Sequence, residues 1–151
     1  MTLAPPGILV LCTGNSCRSQ IAATYLSQFG GDRFRVYSAG TEPTDRVHPL
    51  TVEVLAEDGI DIGGATPTDY REYLGKIPVH YLITVCGGAA KACPAVWPGV
   101  HERLRWPFED PAAFEGTPEE TIETFRQVRD QIKTRVRDWL DGKLVEISAP
   151  V

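Results

Sequence analysis

An arginine stands six residues after a cysteine in the segment Cys12-Thr13-Gly14-Asn15-Ser16-Cys17-Arg18-Ser19. A loop of this length with a flexible Gly14 and Asn15 can curl its backbone N–H groups around a tetrahedral oxyanion. The same dipoles, with the Arg18 guanidinium, stabilise a negative sulfur, which marks Cys12 as a nucleophile. Arg18 can grip two substrate oxygens at once and follow their charge into the transition state, which a lysine would not reproduce. Ser19 can donate a hydroxyl hydrogen bond to the sulfur. The bare spacing arises by chance in many sequences, so its weight comes from its setting after an apolar strand and before a helix. A buried strand-end cysteine beside a solvated arginine would leave Gly14 and Asn15 unexplained. Residues Thr13 to Ser19 are therefore expected to bind the anion, with Cys17 inside the loop reading as a packing residue rather than a catalytic one.

The remaining cysteines, Cys86 and Cys93, are separated by Gly87-Gly88-Ala89-Ala90-Lys91-Ala92, whose small side chains let a segment coil and uncoil at little cost. In a reducing compartment, four cysteines raise catalysis, metal binding or redox exchange ahead of a static framework. Their spacings exceed a zinc knuckle or break into the arginine loop. A redox pair and two buried structural cysteines both remain open on the residues alone. Asp110 before Pro111 is either a general acid for the departing oxygen or the start of a turn. His48, His80 and His101 form no metal-ligand pattern, so no metal site is expected.

The elements that must carry these groups are legible from periodicity. Gly7–Leu11 is a continuous apolar run suited to a strand buried on both faces. Ile21, Ala22, Tyr25, Leu26 and Phe29 then recur at helical spacing and Gly30-Gly31 ends the helix. Phe34–Ala39 reads as a second strand, Pro49 opens a helix that stops near Asp58-Gly59, and Thr66–Lys76 supports at most a short helix. Val79–Val85 and His101–Trp106 are the third and fourth strands. Thr117-Pro118-Glu119-Glu120 carries an N-cap, an N1 proline and a capping-box glutamate. Ile122, Phe125, Ile132, Val136 and Trp139 mark one face of the helix that follows, expected to end at Asp141-Gly142. Strands alternating with helices imply a single α/β domain over residues 1–151, with a core at about 7–141, an unassigned tail at 143–151 and a mainly parallel four-stranded sheet. Cys12, Cys86 and Asp110 each follow a strand, and ligands of open parallel sheets bind outside the carboxyl ends of the strands, so the three can share one rim.

With 42% hydrophobic and 23% charged residues and a formal charge of -5, the 151-residue chain suits a soluble domain with no broad affinity for nucleic acid or anionic membrane. The run Ile8–Leu11 is too short for a signal peptide or a span, and no basic segment precedes it, so a cytoplasmic location is expected.

The segment 12–20, with Ser38-Ala39-Gly40-Thr41, Thr84-Val85-Cys86, Cys93-Pro94 and Asp110-Pro111-Ala112, resembles the low-molecular-weight tyrosine phosphatase fold. Within that fold the chain looks more like the thioredoxin-coupled arsenate reductases, from about Ile8 to Leu140. The resemblance implies reduction of arsenate to arsenite through a Cys12 thiol–arsenate adduct, with Asp110 as acid. Cys86 would then attack Cys12, and Cys93 would attack Cys86. The resulting disulfide would pass to an external dithiol such as thioredoxin, with no resident cofactor. Phosphotyrosine or small phosphomonoester hydrolysis through the same Cys12–Arg18 loop is the alternative, but it has no need of Cys86 and Cys93. A regulatory module that only captured an oxyanion would not need Asp110. Against the phosphatases, Ala112-Ala113-Phe114 follows the acid where they tend to carry tyrosines. Two departures from the reductase pattern stand out: Ala23 stands where some relatives carry a glutamate beside a potassium ion, so no such ion is expected, and Thr66–Asp69 matches poorly, so contacts that family members make from there are not expected.

Overall fold

The computed structural model describes residues 4–86, 97 and 99–148. Strand β1 (Gly7–Cys12) lies at the centre of the sheet, and Ile8, Leu9, Val10 and Leu11 are wholly buried. Each such side chain contributes roughly 1.5–3 kcal/mol on burial, so β1 is a firmly fixed platform for the cysteine at its end. Strands β2 (Arg35–Gly40) and β3 (Tyr81–Cys86) pair with it in parallel on either side, and β4 (Glu102–Phe108) completes the order β2-β1-β3-β4. The reversal of strand order at β1 opens a crevice at its carboxyl end, the usual place for a ligand in such sheets. Pro107, which has no N–H to give a ladder, is tolerated because β4 is an edge strand.

Alternation along β1 divides the core. Ile8, Val10 and Cys12 pack with Ile21, Tyr25, Leu26, Val128, Ile132 and Val136, whereas Leu9 and Leu11 pack on the other face with Leu82, Val79 and Trp97. The first group belongs to helices α1 (Arg18–Gly30) and α3 (Pro118–Ser148). Helix α2 (Pro49–Glu57) lies against α3 through Val54 and Phe125. Gly31 closes α1 at φ 60°, a left-handed conformation natural to glycine.

The four strands agree with those expected from the sequence to within two residues at each end. The capping box is made as the residues suggested: Glu120 N–H donates to Thr117 Oγ1 at 3.1 Å, and Thr117 N–H to Glu120 Oε1 at 3.0 Å. The expected end of α3 at Asp141-Gly142 is corrected, because the helix runs through Gly142 to Ser148. A glycine stops a helix by adopting positive φ, and Gly142 does not. Lys143, just beyond it, pairs with Glu102 Oε2 at 2.9 Å and lies over the Tyr81 and Trp139 rings, which favours continuing the helix. Segment 66–76 contains one 3-10 turn, Tyr70–Glu72, reached after Asp69 bridges to Gly40. Among the described residues no helix is long and apolar enough to cross a membrane.

Candidate active site

The loop between β1 and α1 is shaped by where its carbonyls go. Cys12 O accepts from Thr41 N–H (3.1 Å), Thr13 O from Glu42 N–H (2.9 Å), Gly14 O from Thr44 N–H (3.0 Å) and Cys17 O from Ile21 N–H (2.9 Å). Ser16 O accepts from His48 N–H at 3.1 Å and from Thr51 Oγ1 at 3.0 Å. Asn15 O accepts from Gln20 Nε2 at 3.0 Å. Every carbonyl from residue 12 to 17 is thus occupied away from the loop's interior. A trans peptide sets C=O and the next N–H on opposite sides, so these bonds turn the N–H groups of residues 13–18 inward together. Among the described residues none of the N–H groups from 13 to 19 donates to a protein acceptor. Helix α1 adds its positive end, with no acidic residue in its first turn to neutralise it.

The sequence supplies this geometry locally. Asn15 is the one non-glycine residue at positive φ (53°) among the described residues, a conformation asparagine accepts more readily than most. It is fully buried; its Nδ2 donates to Ser19 Oγ at 2.8 Å and its Oδ1 accepts from Thr68 N–H at 2.8 Å. Gly40 must be glycine for a different reason, since a Cβ there would stand 2.6 Å from Thr13 O.

Cys12 is 3% exposed at the end of β1. Arg18 is 8% exposed, its Nη1 donates to Phe108 O at 3.1 Å, and its Nη2 lies 3.7 Å from Asp110 Oδ2. Arg18 Nε is buried and has no hydrogen-bond partner among the described residues, a state that a bound oxyanion would relieve. Asp110 caps the 3-10 turn Pro111–Ala113 by accepting Ala112 N–H on Oδ1, which leaves Oδ2 toward the loop arginine. Cys17 packs with Val54 and Phe125, and burial pushes its thiol above the ordinary cysteine range against the opposing hydrogen bonds of Thr51 and Ser16. Cys86 ends β3, which neighbours β1 with Leu11 opposite Thr84, so two sequence-predicted cysteines end adjacent parallel strands. Cys93 lies outside the described residues. Among the described residues no three His, Cys, Asp or Glu side chains group as metal ligands.

The family model of low molecular weight phosphotyrosine protein phosphatases matches residues 7–148. The chain belongs to this family. Within it, the chain is 45% identical to an arsenate reductase of Halalkalibacterium halodurans, over 89% of this chain and 94% of that one. A solved arsenate reductase in the phosphate binding state superposes with a TM-score of 0.75 at 30% identity, covering 91% of this chain and 98% of the other. The thioredoxin-dependent arsenate reductase of Corynebacterium glutamicum gives a TM-score of 0.66 at 31% identity, over 94% of this chain and 63% of that protein.

Several residues that shape the loop do so in roles that sequence reasoning did not assign to them, and the expectation that Thr66–Asp69 makes no contact there is corrected, because Thr68 N–H donates to Asn15 Oδ1. Gln20, His48, Thr51 and Thr68 hold the loop from outside, and the Phe108 carbonyl aims Arg18. Gln20 alone had a local signal, lying next to the loop on the first turn of α1; the others come from distant segments brought together by the sheet.

Proposed function

We propose that the chain is an arsenate reductase of the reducing cytosol, carrying its whole reaction in one domain. The observation that supports this most strongly is the loop whose six carbonyls are all engaged outward, presenting N–H groups and Arg18 to a tetrahedral oxyanion beside Cys12. The Cys12 thiolate forms an S–As bond while one arsenate oxygen departs as water with a proton from Asp110. Cys86 as thiolate then attacks Cys12 Sγ. The S–S bond forms, the S–As bond breaks, and its electron pair stays on arsenic, which leaves as arsenite after protonation. Cys93 attacks Cys86 and returns Cys12 as thiolate. The Cys86–Cys93 disulfide is reduced by an external dithiol of the thioredoxin class.

A phosphate ester would use Cys12, Arg18 and Asp110 and let water resolve the intermediate. The description of the family as phosphotyrosine protein phosphatases supports keeping this second reading, which would survive here as a weak side activity. The separating experiment is arsenate-dependent NADPH oxidation with thioredoxin and thioredoxin reductase, repeated with a glutaredoxin system. Turnover with thioredoxin is expected. Arsenate-independent rates in both systems, with brisk aryl phosphate hydrolysis, would replace the reductase by a phosphatase.

A further inference from the structure

Five of the six outward carbonyls of the loop are held by at least one backbone N–H, whereas Asn15 O is held by a side chain, Gln20 Nε2. Gln20 is 7% exposed, and the same Nε2 lies 3.3 Å from Asn15 Oδ1 as well as 3.0 Å from Asn15 O. The left-handed backbone of Asn15 brings these two buried oxygens onto one side, where they repel unless a donor lies between them. An amide nitrogen carries two hydrogens, one for each oxygen. Oδ1 must be oxygen because it accepts from Thr68 N–H, so the group facing it from Gln20 must be the NH₂ end.

We infer that Gln20 is a positioning residue for the oxyanion site: by holding Asn15 O outward it keeps the 15–16 peptide plane oriented so that Ser16 N–H faces the anion. Rotation of that plane would withdraw one donor and put an oxygen in its place, a double loss for a negative ligand. The Asn15 side chain is the second beneficiary, because the same donor leaves Oδ1 for Thr68 and Nδ2 for Ser19. Gln20 touches neither substrate nor sulfur in this role. The inference rests on the oxyanion-loop reading and extends it to a residue outside the loop.

The test uses Gln20→Met, which keeps size without donors, and Gln20→Lys, whose ammonium can donate to both oxygens. Inorganic phosphate is the probe, its affinity read from protection of Cys12 against iodoacetamide, alongside thermal midpoints and KM and kcat for arsenate. Gln20→Met is expected to weaken phosphate about tenfold and to raise KM for arsenate in parallel, the size of an effect set by one lost hydrogen bond to a buried carbonyl. Gln20→Lys is expected to recover affinity to within about threefold of wild type. Wild-type phosphate affinity in Gln20→Met would overturn the inference. So would equal weakening in both variants that tracks a common fall in thermal midpoint, since that is what lost packing alone would give. Failure of phosphate to protect the wild-type protein would instead overturn the oxyanion-loop reading on which the inference stands.

Discussion

Arg18 meets three demands at once: Nη1 is fastened to the Phe108 carbonyl, Nη2 approaches Asp110, and Nε is buried with no partner among the described residues. A lysine has one charged nitrogen and cannot both anchor itself and present a fork. Arg18→Lys is therefore expected to lower turnover by about 10²-fold or more, the usual cost of removing a transition-state donor, and near-normal rates would remove Arg18 from that role. Asp110 has one oxygen engaged by its own turn and one facing Arg18. Asp110→Asn keeps the turn's acceptor but has no proton to give, so formation of the adduct should slow about 10²-fold while phosphate protection of Cys12 stays close to wild type. An unchanged rate would make Asp110 only a cap. Cys17 packs against Val54 and Phe125, and its burial raises its pKa, which disfavours the reactive thiolate. Mass mapping after brief iodoacetamide treatment should find the label on Cys12 and none on Cys17. Comparable labelling of Cys17 would contradict the packing assignment.

Helices α1, α2 and α3 are joined by polar contacts as well as by their apolar faces. Tyr25 Oη donates to Asp58 Oδ2 at 2.5 Å, Lys133 Nζ reaches the same oxygen at 2.9 Å, and Arg129 Nη1 bridges Val54 O at 2.9 Å and Glu57 Oε1 at 2.7 Å. The hydrogen bond from Tyr25, then that from Lys133, holds Asp58 below the usual carboxylate range. A carboxylate whose pKa is depressed by folding contributes stability above its unfolded pKa, and that contribution disappears as pH falls through the folded value. Asp58→Asn is expected to lower the stability measured by urea unfolding at about pH 7 by about 1 kcal/mol, and the gap from wild type should close on the acid side of about pH 4. A gap that did not depend on pH would show that Asp58 acts by shape alone. These contacts are not legible in the sequence, because Asp58-Gly59 reads as a helix stop and the partners of Asp58 lie in two other helices. The elements themselves were legible, since β1 and β3 are distinct apolar runs and the α3 start has a complete capping box, while β2 and β4 carry a weaker pattern with charged residues at Arg35, Glu102, Arg103 and Arg105. The α3 end was misjudged because Gly142 is a stop signal only if its backbone turns left-handed, and the contacts of Lys143 that favour continuation come from β3 and β4.

At the scale of the molecule, a parallel sheet with its strand order reversing at β1 gathers Cys12, the end of β3 and the loop after β4 on one rim. That convergence could be read from the sequence, because Cys12, Cys86 and Asp110 each follow a strand. The outer support of the loop could not, since Thr41, Glu42, Thr44, His48 and Thr51 come from the β2–α2 connection and the start of α2, and most act through backbone atoms that carry no sequence signature. The central claim is that one protein molecule supplies all the electrons for one arsenate reduction from its own cysteines. It is tested most directly by mixing fully reduced protein with arsenate in the absence of any external thiol, counting arsenite, and mapping disulfides by mass spectrometry. The expected result is about one arsenite per protein molecule with a Cys86–Cys93 disulfide; Cys93→Ser should also give about one, with a Cys12–Cys86 disulfide, and Cys86→Ser should give none. Absence of arsenite from the reduced wild-type protein, while aryl phosphate is still hydrolysed, would contradict the claim.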